Sequence, residues 1–223
     1  MERHFDEELR KLKTELLAMA GHVERSIEHA ANALVGRAAE AISNIYELEQ
    51  EVNREHKSVD EACLRLLALQ QPLAADLRLI VAVIKINTDL ERMGDQAVNI
   101  AHHTERYMAD RDQPEVLVDL PEMFSETRFM VREAIDAFVK NDETLARDVL
   151  KRDDRVDAFK HKIYSDILNI LQSEPKDIEQ GFSLILIARN LERIADHATN
   201  IAEDVIFAIT GSDVRHSPRT GPS

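Results

Sequence analysis

The stretch Glu91-Arg-Met-Gly-Asp-Gln-Ala-Val-Asn-Ile-Ala101 is written a second time, with four exchanges, as Glu192-Arg-Ile-Ala-Asp-His-Ala-Thr-Asn-Ile-Ala202. Seven of the eleven positions are identical at an offset of 101 residues, and the polar identities Glu, Arg, Asp and Asn all keep their places. Each copy of a duplicated segment is one supersecondary unit, and two such units stack into a pseudo-symmetric whole. Packing alone has no use for the retained polar residues, so the repeat carries a chemical signal as well as an architectural one.

The duplication extends upstream. Leu34, Val35, Ile45, Glu49, Val52 and Asn53 match Phe138, Val139, Val149, Asp153, Val156 and Asp157 at an offset of 104. The difference of three residues places a longer connection in the first copy, at Gln70-Gln71-Pro72. Hydrophobic spacing of three and four residues runs through both copies and predicts six long helices in two sets of three. The first is expected from about Phe5 to Val35 along Leu9, Leu12, Leu16, Met19, Val23, Ile27, Ala30 and Leu34. The second runs from about Ala38 along Ile42, Ile45, Leu48, Val52, Val59, Cys63 and Leu66 to the stop at Pro72, because the residue before a proline resists helix. The third continues to about Tyr107, and at about 1.5 Å per residue it is roughly 50 Å long. A linker through Pro114 and Pro121 follows. The fourth helix, along Met123, Met130, Ile135 and Phe138, closes at Asn141-Asp142; the fifth spans about Asp142 to Leu171. The sixth spans about Asp177 to Ile209 and ends at Thr210-Gly211. The reading is an all-α protein of two tandem pseudo-symmetric three-helix bundles, residues 1–113 and 114–211, with a Pro- and Gly-bearing disordered tail over 212–223.

Composition fits. Six Gly and six Pro in 223 residues leave few places to turn, and 44% hydrophobic with 4% aromatic residues makes the core aliphatic. A net charge of −14 speaks against nucleic acid and anionic membrane as direct partners, and for cations or basic protein surfaces. Cys63 is the one cysteine, which excludes an internal disulfide and a Cys-based zinc site; it lies on the apolar stripe of the second helix and reads as core. Met1 to Glu8 is charged throughout, and the apolar runs 79–84 and 183–188 fall far short of the roughly 20 residues a spanning helix needs. A cytoplasmic chain that meets membranes only through partners is expected.

The retained acids fall in pairs at i and i+4: Glu49 with Asn53, Glu91 with Asp95, Asp153 with Asp157, and Glu192 with Asp196. That spacing stacks two side chains on one helix face, about 5–6 Å apart at Cβ, within reach of one cation or of two neighbouring cations. Asn99 and Asn200 continue the same faces one turn on, and His56 lies one turn past Asn53. Carboxylate and carboxamide oxygens suit hard cations such as Mg²⁺, Mn²⁺ or iron, singly or as a multinuclear centre. The plain alternative is a solvated face held by weak ion pairs to Arg92 and Arg193, with Asn99 and Asn200 making polar bonds between helices. His102 and His103 end the third helix, where imidazole suits the helix dipole, and the second copy has Glu203 and Asp204 there. His197 points about 100° away from Asp196 around its helix. There is no Gly-rich phosphate loop, no nucleophile elbow and no Glu-x-x-His of the di-iron bundles, so no catalytic residue is assigned.

The doubled Glu-Arg-[Met/Ile]-x-Asp-x-Ala-x-Asn-Ile-Ala, preceded by Leu69-Gln-Gln-Pro-Leu-Ala-Ala-Asp-Leu-Arg78, resembles the PhoU proteins, accessory regulators of bacterial phosphate-specific transport, over about residues 3–210. The resemblance implies two symmetric three-helix bundles and metal-binding Glu/Asp-x-x-x-Asp motifs at Glu91 with Asp95, Asp153 with Asp157, and Glu192 with Asp196. Asn53 departs from the Asp expected beside Glu49. The implied function is a non-enzymatic adaptor between the ATPase of the phosphate ABC transporter and a sensor histidine kinase, restraining uptake and phosphate-starvation genes when phosphate is plentiful. A homodimer is expected, since amphipathic bundles commonly pair. Two other readings stand beside it: a carboxylate-bridged metal centre with oxidase or storage activity, and a bundle that only scaffolds or dimerises.

Overall fold

The computed structural model describes residues 2–70, 72–109, 119–173 and 178–214. It contains α1 (Glu2–Val35), α2 (Glu40–Gln70), α3 (Ala74–Met108), α4 (Leu120–Lys140), α5 (Glu143–Ser173) and α6 (Ile178–Thr210). All six expected helices form, with ends displaced by no more than about three residues, the usual fraying of terminal turns. Beyond residue 214 the expected tail lies outside the described residues.

The ends have local causes. Pro72 is followed by Leu73 in extended conformation, which starts α3 without a side-chain cap. Pro121 occupies the first turn of α4, where its missing N–H costs nothing. Asn141 adopts the left-handed region at φ 51°, closing α4, and the next residue, Asp142, accepts the Leu145 N–H at 3.0 Å to open α5. Gly211, at φ 76°, ends α6.

The apolar stripes become one continuous core. Leu12, Leu16, Met19, Val23 and Ile27 of α1 are buried, as are Ile45, Val52, Val59 and Cys63 of α2, and the cluster runs unbroken into the second repeat. Each fully buried Leu, Ile or Val contributes about 1.5–3 kcal/mol relative to exposure. Helices α2, α3, α6 and α5 lie side by side in that order; α1 packs across α2 and α3, and α4 across α5 and α6. The repeats meet along α3 with α6, the most extensive helix contact in the molecule, and along α1 with α4.

That α3–α6 seam is antiparallel, because Lys85 reaches Asp204 (Nζ–Oδ1 3.2 Å) while Asp89 reaches His197 (Oδ1–Nδ1 2.8 Å) further along both helices. The α2–α3 turn and the α5–α6 turn therefore lie at opposite ends. Leu73 and Leu77 are exposed at one, Ile178 and Phe182 at the other.

Candidate carboxylate clusters

Each repeat brings its acids together in one groove, between α2 and α3 in the first and between α5 and α6 in the second. In the first, Glu91 feels Asp95 from its own helix and Glu49 from α2. Partial burial and then the Asp95 charge push its carboxyl upward, with Glu49 adding and His56 and Arg92 opposing. Asn53 donates through Nδ2 to Glu49 Oε1, so the carboxamide that replaces an acid here ties down its neighbour. His56 turns its ring toward α3, with Nδ1 3.4 Å from the Asn87 carbonyl oxygen and Nε2 3.6 Å from Asp60.

In the second groove, Asp196 is pushed up to about 6 by desolvation and then by Glu192, Asp153 and Asp157, with His197 opposing. The two acids of α6 and the two of α5 thus form one four-carboxylate group. Inside it stands a lysine. Lys160 Nζ lies 2.6 Å from Glu192 Oε1 and 3.5 Å from Asp157 Oδ1. Those bonds hold the ammonium's pKa above its usual value, the hydrogen bond to Glu192 first.

The structure sorts the expected residues. Glu49, Asn53, Glu91 and Asp95 assemble in one groove with His56 at its margin; Asp153, Asp157, Glu192 and Asp196 assemble in the other. Asn99 is exposed on α3. Asn200 faces the seam and donates to Asp89 Oδ1 at 3.2 Å, the polar bond between helices weighed above. His197, likewise turned away from Asp196, meets the same Asp89 oxygen. Cys63 is buried core, its thiol pushed up to about 12 by desolvation, which makes it inert as a nucleophile.

Three participants escaped the sequence reading. Lys160 sits 32 residues from Glu192, and only its alignment with His56 at the offset of 104 marked its place. Asn87, fully buried, donates to the His56 carbonyl at 3.0 Å and to Asp60 at 2.9 Å and so fixes α2 on α3. Asp89 has no acidic counterpart, since Asn190 holds the equivalent position.

The donor set is oxygen-rich, and its acids raise one another's carboxyls on top of the larger effect of burial, which fits a hard cation better than zinc. Among the described residues, no three His, Cys, Asp or Glu side chains stand converged on a common point. The acids are gathered in each groove without converging on one point.

Fold and site together define a duplicated, antiparallel helical bundle with one carboxylate cluster per repeat. The model of the PhoU domain matches the chain twice, over residues 16–104 and 120–205. The chain belongs to the PhoU family. A phosphate-specific transport system accessory protein PhoU homolog of Pseudomonas aeruginosa is 36% identical over 214 residues, 96% of this chain and 88% of that protein. The accessory protein PhoU of Escherichia coli K12 is 30% identical over 212 residues, 95% of this chain and 88% of that one. The crystal structure of PhoU from P. aeruginosa superposes with a TM-score of 0.90 at 36% identity, covering 93% of this chain and all of that one. The phosphate transport system regulatory protein PhoU from Streptococcus pneumoniae gives a TM-score of 0.87 at 27% identity, covering 94% of this chain and 99% of that one.

Proposed function

We propose that this chain is an accessory regulator of phosphate uptake: a non-enzymatic, cytoplasmic, dimeric adaptor that couples the ATPase of a phosphate ABC transporter to a sensor histidine kinase and depends on bound metal. Family membership supports the role in phosphate transport. No described helix is long and apolar enough to cross a membrane, which suits an adaptor that reaches the membrane through other proteins.

The observation that carries the metal dependence is the crowding of like charges between two helices in each repeat, which together with burial, the larger cause, lifts Asp196 to about 6. A cation neutralises such a cluster and pins the facing helices together, presenting one fixed surface to a partner. Glu49, Glu91 and Asp95 would hold it in the first repeat, and Asp153, Asp157, Glu192 and Asp196 in the second, with the metal serving as structural charge and no chemical step assigned to it.

The test is recovery of the transporter ATPase and the kinase from solubilised membranes by the tagged chain, with Mn²⁺ and after chelation, beside a variant with Glu91, Asp95, Glu192 and Asp196 all changed to Ala. Recovery is expected with metal alone and to be lost in the variant. Equal recovery in all three samples would remove metal from the mechanism while leaving the adaptor role in place.

A further inference from the structure

The two clusters occupy equivalent grooves, yet they differ at one equivalent position. At the offset of 104, His56 of α2 corresponds to Lys160 of α5. Lys160 bridges the helices, from Asp157 on its own helix to Glu192 on α6. His56 bridges elsewhere. Its ring reaches the Asn87 carbonyl of α3 and Asp60 of its own helix rather than Glu49, Glu91 or Asp95, and among the described residues no lysine ammonium is bonded to those three.

We propose that Lys160 is a resident cation that closes the second carboxylate cluster, so that hard metal ions enter the first cluster before the second. The inference rests on the reading of the acids as cation ligands given above, and it assigns the order in which this chain fills them.

Charge alone does not set that order. Four carboxylates less one ammonium leave the second cluster with the same formal charge as the three carboxylates of the first. Occupancy of lone pairs is what differs. An ammonium is a donor only, and it engages carboxylate oxygens that a metal needs. It is also tethered, so an incoming ion competes with a group whose effective concentration is in the millimolar range or above. The imidazole of His56, set against the Asn87 carbonyl and Asp60, ties up no oxygen of Glu49, Glu91 or Asp95. In the first groove the Asn53 carboxamide, which donates to Glu49, also carries an oxygen that an ion could draw inward as the acids converge on it.

The measurement is Mn²⁺ bound per chain, by native mass spectrometry and by manganese electron paramagnetic resonance across a titration. The samples are wild type, Glu91→Ala/Asp95→Ala, Glu192→Ala/Asp196→Ala, Lys160→Gln, Lys160→Arg and His56→Lys. In wild type, binding at the low end of the titration should vanish with Glu91→Ala/Asp95→Ala and survive Glu192→Ala/Asp196→Ala. Lys160→Gln should tighten the second cluster by about tenfold or more, the cost of a tethered competitor removed. Lys160→Arg, which keeps a cation, should not; His56→Lys should silence the first cluster. Equal loss of tight binding in the two double variants, or no gain from Lys160→Gln in a chain whose first cluster binds, overturns the inference and leaves the metal reading intact. Absence of bound Mn²⁺ from every sample overturns both.

Discussion

Where the first repeat bridges α1 to α2 with His22 against Glu55, at 2.9 Å, the second repeat bridges α4 to α5 with Glu126 against Arg152, at 2.6 Å, and Arg155, at 3.3 Å. His22 and Glu126 are equivalent positions. Their partners are not equivalent, since Glu55 aligns with Phe159 and Arg152 with Leu48, so each repeat makes its cross-helix polar contact with its own residues. The repeats differ again in the carboxylate grooves, where His56 answers to Lys160, and along the seam. There the α3 N-terminal half meets the α6 C-terminal half through Lys85 with Asp204 and Asp89 with His197 and Asn200. The equivalent residues in the other half are Leu186, His103, Asn190, Gln96 and Asn99. Asn190 bonds back to its own helix at Leu186, and the buried atoms Gln96 Oε1 and His103 Nδ1 have no hydrogen-bond partner. After duplication, apolar positions are constrained by a shared core and drift little. Polar positions accept many pairings, and in one half of the seam some go without a hydrogen-bond partner among the described residues.

The largest test of that asymmetry is the seam. Asp204 is 1% exposed, and breaking a buried ion pair typically costs 3–5 kcal/mol. Lys85 is itself part-exposed, so Lys85→Met should destabilise by about 2 kcal/mol in urea unfolding, whereas His103→Leu on the other half should stay within about 0.5 kcal/mol of wild type. Equal effects would show that the two halves of the seam bear the same load.

A smaller effect is expected from pH. The carboxyl of Asp196 lies at about 6 in the folded chain against 3.8 ordinarily, so between these values the folded state binds more protons than the unfolded one. Its contribution to stability is therefore present at low pH and is lost as pH rises through about 4 to 6. Asp196→Asn should abolish that slope, measured as the difference from wild type in metal-free buffer. A difference that is flat across the window would mean that neither burial nor the neighbouring acids raise it in the folded chain.

The smallest concerns Gly94, whose equivalent is Ala195. A Cβ on Gly94 meets Val52 Cγ1 at 3.3 Å, a tight approach of α3 to α2 beneath the first cluster. Gly94→Ala gains about 1 kcal/mol of helix propensity and loses a similar amount to crowding, for a net change near zero. A loss above about 2 kcal/mol would show that the first groove is the narrower and less forgiving of the two.

The helices and most of their ends were legible because breakers are few and each has a local mechanism, as Pro72, Asn141 and Gly211 show. The acid pairs were legible for a different reason: partners four residues apart are placed by helix geometry alone, and duplication separated them from chance. Lys160, Asn87 and Asp89 were not, because their partners lie 27 to 111 residues away and meet only once packing fixes the register between helices. An aligned repeat names such a position without saying what it touches.

The antiparallel seam has a consequence for how the molecule assembles. Within each repeat the helices are neighbours in sequence and close through short connections, which favours rapid formation. The seam joins residues 108 to 119 apart, so its closure carries the larger loop entropy, and a repeat that forms first leaves its matching face uncovered until the seam closes. Until then, a first repeat offers a surface that fits its own duplicate almost as well as its sister, and exchange between chains is the characteristic error of repeated folds. An α3 set against another α3 would bring Lys85 to His103 and Asp89 to Gln96 and Asn99, in place of Asp204, His197 and Asn200. The polar pairs that occur only once along the seam therefore let a first repeat distinguish a second repeat from a copy of itself.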